Sequence, residues 1–143
     1  MKTILAAVAA ALLSFCARAQ SADELSKGAA DKSSVLNYGM GYHLQRFSPI
    51  DQINKDNVKG LVPVWNYSYD DNRSEESQPL VYKGVLYVTT NSATMAVDAK
   101  SGRQFWKTKV DYPPETPRIV CCGIINRGAA LFFGNGRTVR GDI

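Results

Sequence analysis

Residues 80–109 decide the fold, and they read LVYKGVLYVTTNSATMAVDAKSGRQFWKTK. β-Branched and aromatic residues fill four short runs here, and tight turns separate the runs. The pattern predicts antiparallel strands at Leu80–Tyr82, Val85–Thr90, Thr94–Val97 and Arg103–Lys109. The first connection has only two residues, and Gly84 can take the positive φ that such a hairpin requires.

The connection between the last two strands carries a spaced motif, Ala96-x-Asp98-x-x-Ser101-Gly102-x-x-x-Trp106. Asp98 can accept hydrogen bonds from turn amides, Gly102 can adopt a left-handed conformation, and Trp106 can pack onto a neighbouring unit. Asp98, Gly102 and Trp106 are therefore predicted to be scaffold rather than site. Four short strands in about thirty residues are the size of one propeller blade, so the predicted fold class is all-β.

The flanks of this stretch give weaker signals. Val62–Tyr67 alternates and predicts a further strand, and Ala129–Phe133 predicts a strand that enters the next blade. Three prolines exclude a central strand at Asp111–Pro117. Asn54–Val58 predicts one short helical turn capped by Asn54.

The amino terminus has the pattern of an exported protein. Lys2 precedes an apolar run from Ile4 to Phe15, and Ala17-Arg18-Ala19 ends it. This predicts a signal peptide at residues 1–19, because the run is shorter than the about 20 residues of a membrane span. Cys16 suggests a lipoprotein site, but the bulky Phe15 before it argues against lipidation. A polar leader at 20–34 and a main segment at 35–143 follow.

Charge and histidine content exclude some functions. The formal net charge of the 143 residues is +4, and the basic residues are scattered, so no nucleic-acid partner is predicted. His43 is the single histidine, which excludes a His-based triad and a His-rich metal cluster.

Cys121 and Cys122 are adjacent. A bond between them would form a small strained ring that closes no loop, so it would stabilise the fold little and would instead present a rigid, flat surface. The alternative is two reduced thiols packed as small hydrophobic side chains. Adjacency alone does not decide between the two.

Several motifs together resemble one enzyme family. The Asp98–Trp106 spacing is similar to the tryptophan-docking motif of quinoprotein alcohol dehydrogenases, eight-bladed β-propellers that use pyrroloquinoline quinone (PQQ). The same family order is found in Tyr38-Gly39-Met40-Gly41, Gln45–Pro49, Asn54–Val58, Glu76–Leu80 and Cys121-Cys122 with Asn126–Ala130. The resemblance runs from about Val35 to Leu131, and it is closer to ethanol-type than to methanol-type members.

The resemblance implies roles for four residues. It makes Cys121–Cys122 a disulfide that stacks on one face of PQQ, and it places Glu76 and Arg127 in contact with the cofactor. Arg127 offers a planar fork of donors that suits a carboxylate or a quinone oxygen. Glu76 beside an anionic cofactor would need a shared proton or a cationic neighbour.

The resemblance also implies what this chain does not contain. The family's catalytic base and its ligands for calcium, or a lanthanide, fall beyond residue 143, so no catalytic residue and no metal ligand is expected within the chain. Ser33-Ser34-Val35 replaces the stretch that holds an extra calcium in some members. The chain is interpreted as an amino-terminal fragment that is inactive alone, and a frameshift, a truncated gene or a fragmentary record would each explain it.

The implied function is PQQ-dependent oxidation of a small primary alcohol to an aldehyde in the periplasm. Electrons would pass to a cytochrome c, and the full-length form admits a homodimer. The alternative is a non-catalytic propeller-type module for binding or envelope assembly. Cys121, Cys122 and Arg127 favour the enzyme, because a scaffold has no use for a strained ring at that spacing.

Overall fold

The computed structural model describes residues 20–73, 75–120 and 123–131. The predicted signal peptide, the Cys121–Cys122 pair and the tail after Leu131 lie outside these residues. Within them, helix α1 is Ala22–Lys27, helix α2 is Thr116–Ile119, and 3-10 helices are Gly28–Ala30 and Val58–Gly60. The strands are β1 Leu80–Tyr82, β2 Val85–Thr89, β3 Ala93–Asp98 and β4 Gln104–Lys109.

The four strands form one antiparallel sheet in the order β1-β2-β3-β4. This confirms the four predicted strands, with ends that differ by one residue. The β1–β2 hairpin turns at Lys83 and Gly84, whose φ values are 50° and 76°. Positive φ values at both turn residues match the twist of the flanking strands, and glycine adopts such a value without steric cost.

The Asp98–Gly102 turn has the predicted hydrogen bonds. The Asp98 carboxylate accepts the backbone N–H of Lys100 at 3.0 Å and that of Ser101 at 2.7 Å. Gly102 takes the left-handed conformation, with φ of 74°. These contacts fix the direction in which β4 leaves the turn, so the motif is scaffold, as predicted.

The two faces of the sheet carry separate apolar clusters. One face buries Leu80, Tyr87, Ala96 and Leu131, with Trp106 packed against them. Trp106 was predicted to contact a neighbouring blade; in the described part of the chain its ring lies 6.5 Å from that of Tyr87 in its own sheet. The other face buries Val88, Ala93, Met95 and Val97, and Trp65, Tyr67, Tyr69 and Leu86 cover it.

The predicted strand at Val62–Tyr67 is wrong. The structure describes all of these residues and places none of them in a strand. Trp65 packs on the sheet, and its indole N–H donates to the Ala99 carbonyl at 3.1 Å. Val62 and Val64 are 76% and 83% exposed. The alternation of side chains in this segment therefore marks those that face the sheet. The backbone of the segment does not pair with any strand of the sheet.

Two smaller predictions concern the flanks of the sheet. The predicted strand at Ala129–Phe133 does not begin within 129–131, the part of it that is described. The predicted helical turn at Asn54–Val58 is confirmed: the Val58 N–H donates to the Asn54 carbonyl at 3.0 Å, and the Asn54 side chain caps the turn by accepting the backbone N–H of Asp56 at 2.9 Å.

The polar leader is partly ordered, because Ser21 and Glu24 form a capping box that starts α1. Tyr82 on β1 donates to Glu24 at 3.1 Å, which holds the helix to the sheet. No helix that the structure describes has the length and hydropathy of a membrane span.

Candidate functional site

Glu76 and Arg127 meet although they are 51 residues apart in sequence. Arg127 Nη1 donates to Glu76 Oε2 at 2.9 Å, with side chains 77% and 42% exposed for Arg127 and Glu76. An ion pair this exposed contributes only about 0–1 kcal/mol to folding. The pair supplies the cationic neighbour that Glu76 was predicted to need, and it leaves most N–H donors of the Arg127 fork facing outward.

The loop that carries Arg127 is attached to the sheet at one end. Leu131 is buried in the cluster of Leu80, Tyr87 and Ala96. The Asn126 side chain accepts the backbone N–H of Gly128 at 3.0 Å, and Gly128 has a φ of 148°. Arg127 therefore lies in a turn that the Asn126 side chain stabilises, and the chain after it is anchored by the buried Leu131.

The segment that carries Glu76 is hydrogen-bonded to the end of β2 and to the connection that follows it. Ser77 Oγ donates to the Thr89 carbonyl at 2.6 Å, and Arg73 Nη2 donates to Ser92 Oγ at 3.0 Å. Sequence analysis missed Ser77 and Arg73 because polar loop side chains show no periodicity. Thr89 and Asn91 are both 2% exposed, so the segment is tied to a buried part of the molecule.

Asp71 and Arg73, in the segment that leads to Glu76, form an ion pair. Asp71 is 7% exposed and forms a 2.5 Å ion pair with Arg73. Hydrogen bonds from the Arg73 guanidinium hold the pKa of the Asp71 carboxyl well below its ordinary value. Partial desolvation, followed by the charge of Asp71, raises the pKa of the Glu75 carboxyl.

A groove with a volume of about 490 Å³ lies beside Glu76. It is lined by Val35, Tyr38, Met40, Arg46, Glu76, Ser77, Gln78 and Pro79. The guanidinium of Arg46 sits 5.0 Å from the centre of the Tyr38 ring, a cation–π distance. The Gly39 N–H donates to the Gln78 side chain at 3.0 Å, which ties the Tyr38–Gly41 loop to the segment of Glu76.

The predicted cysteine contacts cannot be placed, because Cys121 and Cys122 lie outside the described residues. Their neighbour Ile124 lines a second groove together with Arg73 and Ser92. The chain that follows the cysteines therefore runs beside the segment that holds Glu76. Among the described residues no group of three or more His, Cys, Asp or Glu side chains is arranged to hold a metal ion.

The exposed guanidinium of Arg127 can bind an anionic oxygen. Arg127 keeps donors for a carboxylate or carbonyl oxygen, and the charge of Glu76 is compensated by Arg127, so the pair does not repel an anion. Asp98, Gly102 and Trp106 take part in the turn and the apolar cluster, away from this donor set.

Comparison with known proteins gives a consistent result. The family described as "Glucose/ethanol/alcohol dehydrogenase, beta-propeller domain" matches residues 36–138. A quinoprotein ethanol dehydrogenase of Pseudomonas aeruginosa is 46% identical over 101 residues, which are 68% of this chain and 16% of that protein. The dehydrogenase subunit of a quinone-dependent alcohol dehydrogenase of Komagataeibacter europaeus is 40% identical over 141 residues, or 89% of this chain and 18% of that subunit.

Solved structures agree. A quinohemoprotein alcohol dehydrogenase of Pseudomonas putida superposes with a TM-score of 0.68 at 33% identity, covering 79% of this chain and 17% of that one. A europium-containing methanol dehydrogenase superposes with a TM-score of 0.68 at 28% identity, covering 76% and 19%. The chain thus spans 16–18% of the length of these curated relatives.

Proposed function

This chain belongs to the PQQ-dependent glucose/ethanol/alcohol dehydrogenase β-propeller family, and from that membership we propose that it binds PQQ through Glu76 and Arg127. The activity we propose for the protein is oxidation of a small primary alcohol to an aldehyde. PQQ, when bound, supplies a quinone that takes up two electrons from the alcohol. The residues of this chain bind and orient that group.

The ion pair between Glu76 and Arg127 carries the proposal. Its two side chains come from distant parts of the sequence and contribute little to stability, yet they meet at 2.9 Å on one surface. Arg127 binds a carboxylate or carbonyl oxygen of the cofactor with its remaining donors, and Glu76 fixes the orientation of the guanidinium. We propose that Cys121–Cys122 forms the disulfide that stacks on the cofactor face.

The remaining parts of the function rest on the relatives and on the sequence. A metal, calcium or a lanthanide, would be held by segments outside this chain; a europium-containing relative supports the lanthanide. Export to the periplasm is supported by the signal-peptide pattern. Relatives described as a dehydrogenase subunit and as quinohemoproteins support a haem protein such as cytochrome c as electron acceptor. A homodimer of the full-length form is likewise a proposal.

The test is a chimera in which residues 36–131 replace the matching segment of the Pseudomonas aeruginosa ethanol dehydrogenase. We expect PQQ-dependent, dye-linked ethanol oxidation by the chimera. Glu76→Gln replaces the charge-assisted hydrogen bond from Arg127 by a weaker neutral one, so it should hold the guanidinium less firmly and weaken PQQ binding by about threefold to tenfold. Glu115→Gln, at an exposed glutamate before α2, is the matched control.

A second set of variants of the chimera tests the role of the cysteines. Replacing Cys121 and Cys122 together by serine in the chimera should abolish dye reduction. A folded chimera that loads PQQ and keeps its activity after both the Glu76 and the cysteine changes would favour a structural role for these residues instead.

A further inference from the structure

We propose that Ser77 is a positioning residue that acts through Glu76: its hydrogen bond to the β2 backbone aims the Glu76 carboxylate at Arg127. The proposal rests on the proposed function, since it describes how the cofactor contact is held in place. The evidence is a pair of side-chain hydrogen bonds along the segment that precedes β1.

The first contact is the shortest. Ser77 Oγ donates to the Thr89 carbonyl at 2.6 Å, and the two residues are 12 apart in sequence. Thr89 is the last residue of β2 and is 2% exposed. The bond therefore fastens the residue next to Glu76 to the end of a strand that pairs on both sides.

One further contact extends the same course. Arg73 donates to Ser92 Oγ at 3.0 Å. The pairs 77 with 89 and 73 with 92 show the segment running antiparallel to the chain that leaves β2.

Glu76 lies next to the fastened Ser77, and its side chain takes the opposite direction. Its side chain leaves the β2 end and reaches Arg127 at 2.9 Å. The side chain is 42% exposed, so packing does not select its rotamer. What fixes its direction is the backbone, and Ser77 is the neighbour that holds this backbone to the sheet. Groups held in place before binding lose less freedom when the ligand arrives.

The experiment uses the chimera that carries residues 36–131 of this chain and four variants of it: Ser77→Ala, Ser77→Thr, Glu76→Gln and the double variant Ser77→Ala with Glu76→Gln. The first readout is titration with PQQ. Loss of one neutral hydrogen bond corresponds to about a threefold to tenfold weaker affinity, which we expect for Ser77→Ala. Ser77→Thr keeps the hydroxyl and should bind as the parent chain does.

The double variant separates positioning from a merely structural role. If Ser77 acts through Glu76, adding Ser77→Ala to Glu76→Gln should weaken PQQ binding no further. An equal loss in both backgrounds, or a loss that follows a lowered thermal midpoint, would overturn the proposal. Ser68→Ala is the control, because that hydroxyl contacts only Asp70 in an exposed turn.

The second readout needs no cofactor. In NMR spectra of the same chain, Glu76→Gln should shift the Arg127 side-chain Nε–H resonance, because it changes the ion pair. Ser77→Ala should reproduce part of that shift, and Ser77→Thr should not. No shift with Ser77→Ala overturns the proposal even if the chain binds PQQ. If the chain fails to bind PQQ but the shift is seen, the proposed function fails while the positioning role stands.

Discussion

At the scale of single residues, the candidate site depends on the shape of one guanidinium group. The Arg127 fork donates to Glu76 through Nη1, and its planar geometry allows a second carboxylate to be held by parallel N–H bonds. A lysine at the same position would keep the charge but present a point donor.

We therefore predict that Arg127→Lys weakens PQQ binding by about tenfold, which corresponds to about 1.4 kcal/mol, the loss of one charge-assisted hydrogen bond. Titration of the cofactor-free chimera with PQQ measures it. Arg103→Lys is the matched control, since Arg103 stacks on Phe105 at the start of β4 and lies outside the site. Equal affinities for parent and Arg127→Lys would remove Arg127 from the site.

A second residue-scale prediction concerns acid stability. Arg73 lowers the folded-state pKa of Asp71, so the pair adds stability that is present above the unfolded-state pKa, about 4, and is lost as pH falls toward the lowered value. Arg73→Gln should reduce the unfolding free energy by about 1–3 kcal/mol at pH 7. The difference between parent and variant should shrink below about pH 4.

Urea unfolding at pH 7, 4 and 3 measures this difference. In an Asp71→Asn background the pH-dependent part of the Arg73→Gln effect should vanish. A difference that stays constant from pH 7 to pH 3 would contradict the assigned cause.

Part of the site could be predicted from the sequence. The motifs around Glu76 and Arg127 predict both residues. The ion pair between them provides the cationic neighbour that Glu76 was expected to need beside an anionic cofactor. Ser77, Arg73 and Asp71 could not be predicted, because their partners Thr89 and Ser92 become neighbours only when the segment folds back along β2. Hydrogen bonds of single polar side chains leave no repeating pattern in a sequence.

At the scale of elements, the sheet was predictable where two signals agree. Alternating apolar residues and glycine turns both mark the four strands of residues 80–109. At Val62–Tyr67 only alternation is present, and Pro63 lacks the N–H that a ladder uses. The segment packs its aromatic side chains on the sheet without joining it, which alternation alone cannot reveal.

The contact of Trp65 with Gly102 yields a matched pair of predictions. A Cβ at Gly102 would lie 2.7 Å from the Trp65 ring, whereas a Cβ at Gly84 would meet nothing within 4 Å. Both glycines have left-handed φ values, 74° and 76°. Each alanine substitution therefore carries a backbone cost of about 1–2 kcal/mol, and only Gly102→Ala adds steric overlap of about 1–3 kcal/mol.

Denaturant unfolding of Gly102→Ala and Gly84→Ala compares the two costs directly. Equal destabilisation would mean that Trp65 moves away from the turn without loss. A larger effect at Gly102 that a second change, Trp65→Ala, reduces would confirm that the clash with the ring is the cause.

At the scale of the whole molecule, the stretch 47–64 exposes many large apolar side chains. They are Phe47, Ile50, Ile53, Val58, Leu61, Val62 and Val64, with Phe47 66% exposed. Large amounts of exposed apolar surface mark an interaction face or an aggregation liability. The chain spans 16–18% of its curated relatives, and the propeller units of that fold bury such faces against one another.

We predict that the chain in isolation binds an apolar fluorescent dye and self-associates as its concentration rises. Changing Val62 and Val64 to threonine should reduce both effects, whereas Val110→Thr, at a 42% exposed valine outside this stretch, should not. Dye titration and analytical ultracentrifugation measure them. A monomer that melts cooperatively and binds no dye would contradict the prediction.

The two tryptophans have a practical consequence, because they lie on opposite faces of the sheet. Trp65 covers the face of Val88, Met95 and Val97, whereas Trp106 packs with Tyr87 on the face that anchors the Arg127 loop through Leu131. The chain thus carries two tryptophan fluorophores, each a reporter for its own side. With Trp65 replaced by phenylalanine, emission comes from the side of the loop, and quenching by an absorbing cofactor should be stronger there than in the Trp106→Phe chain.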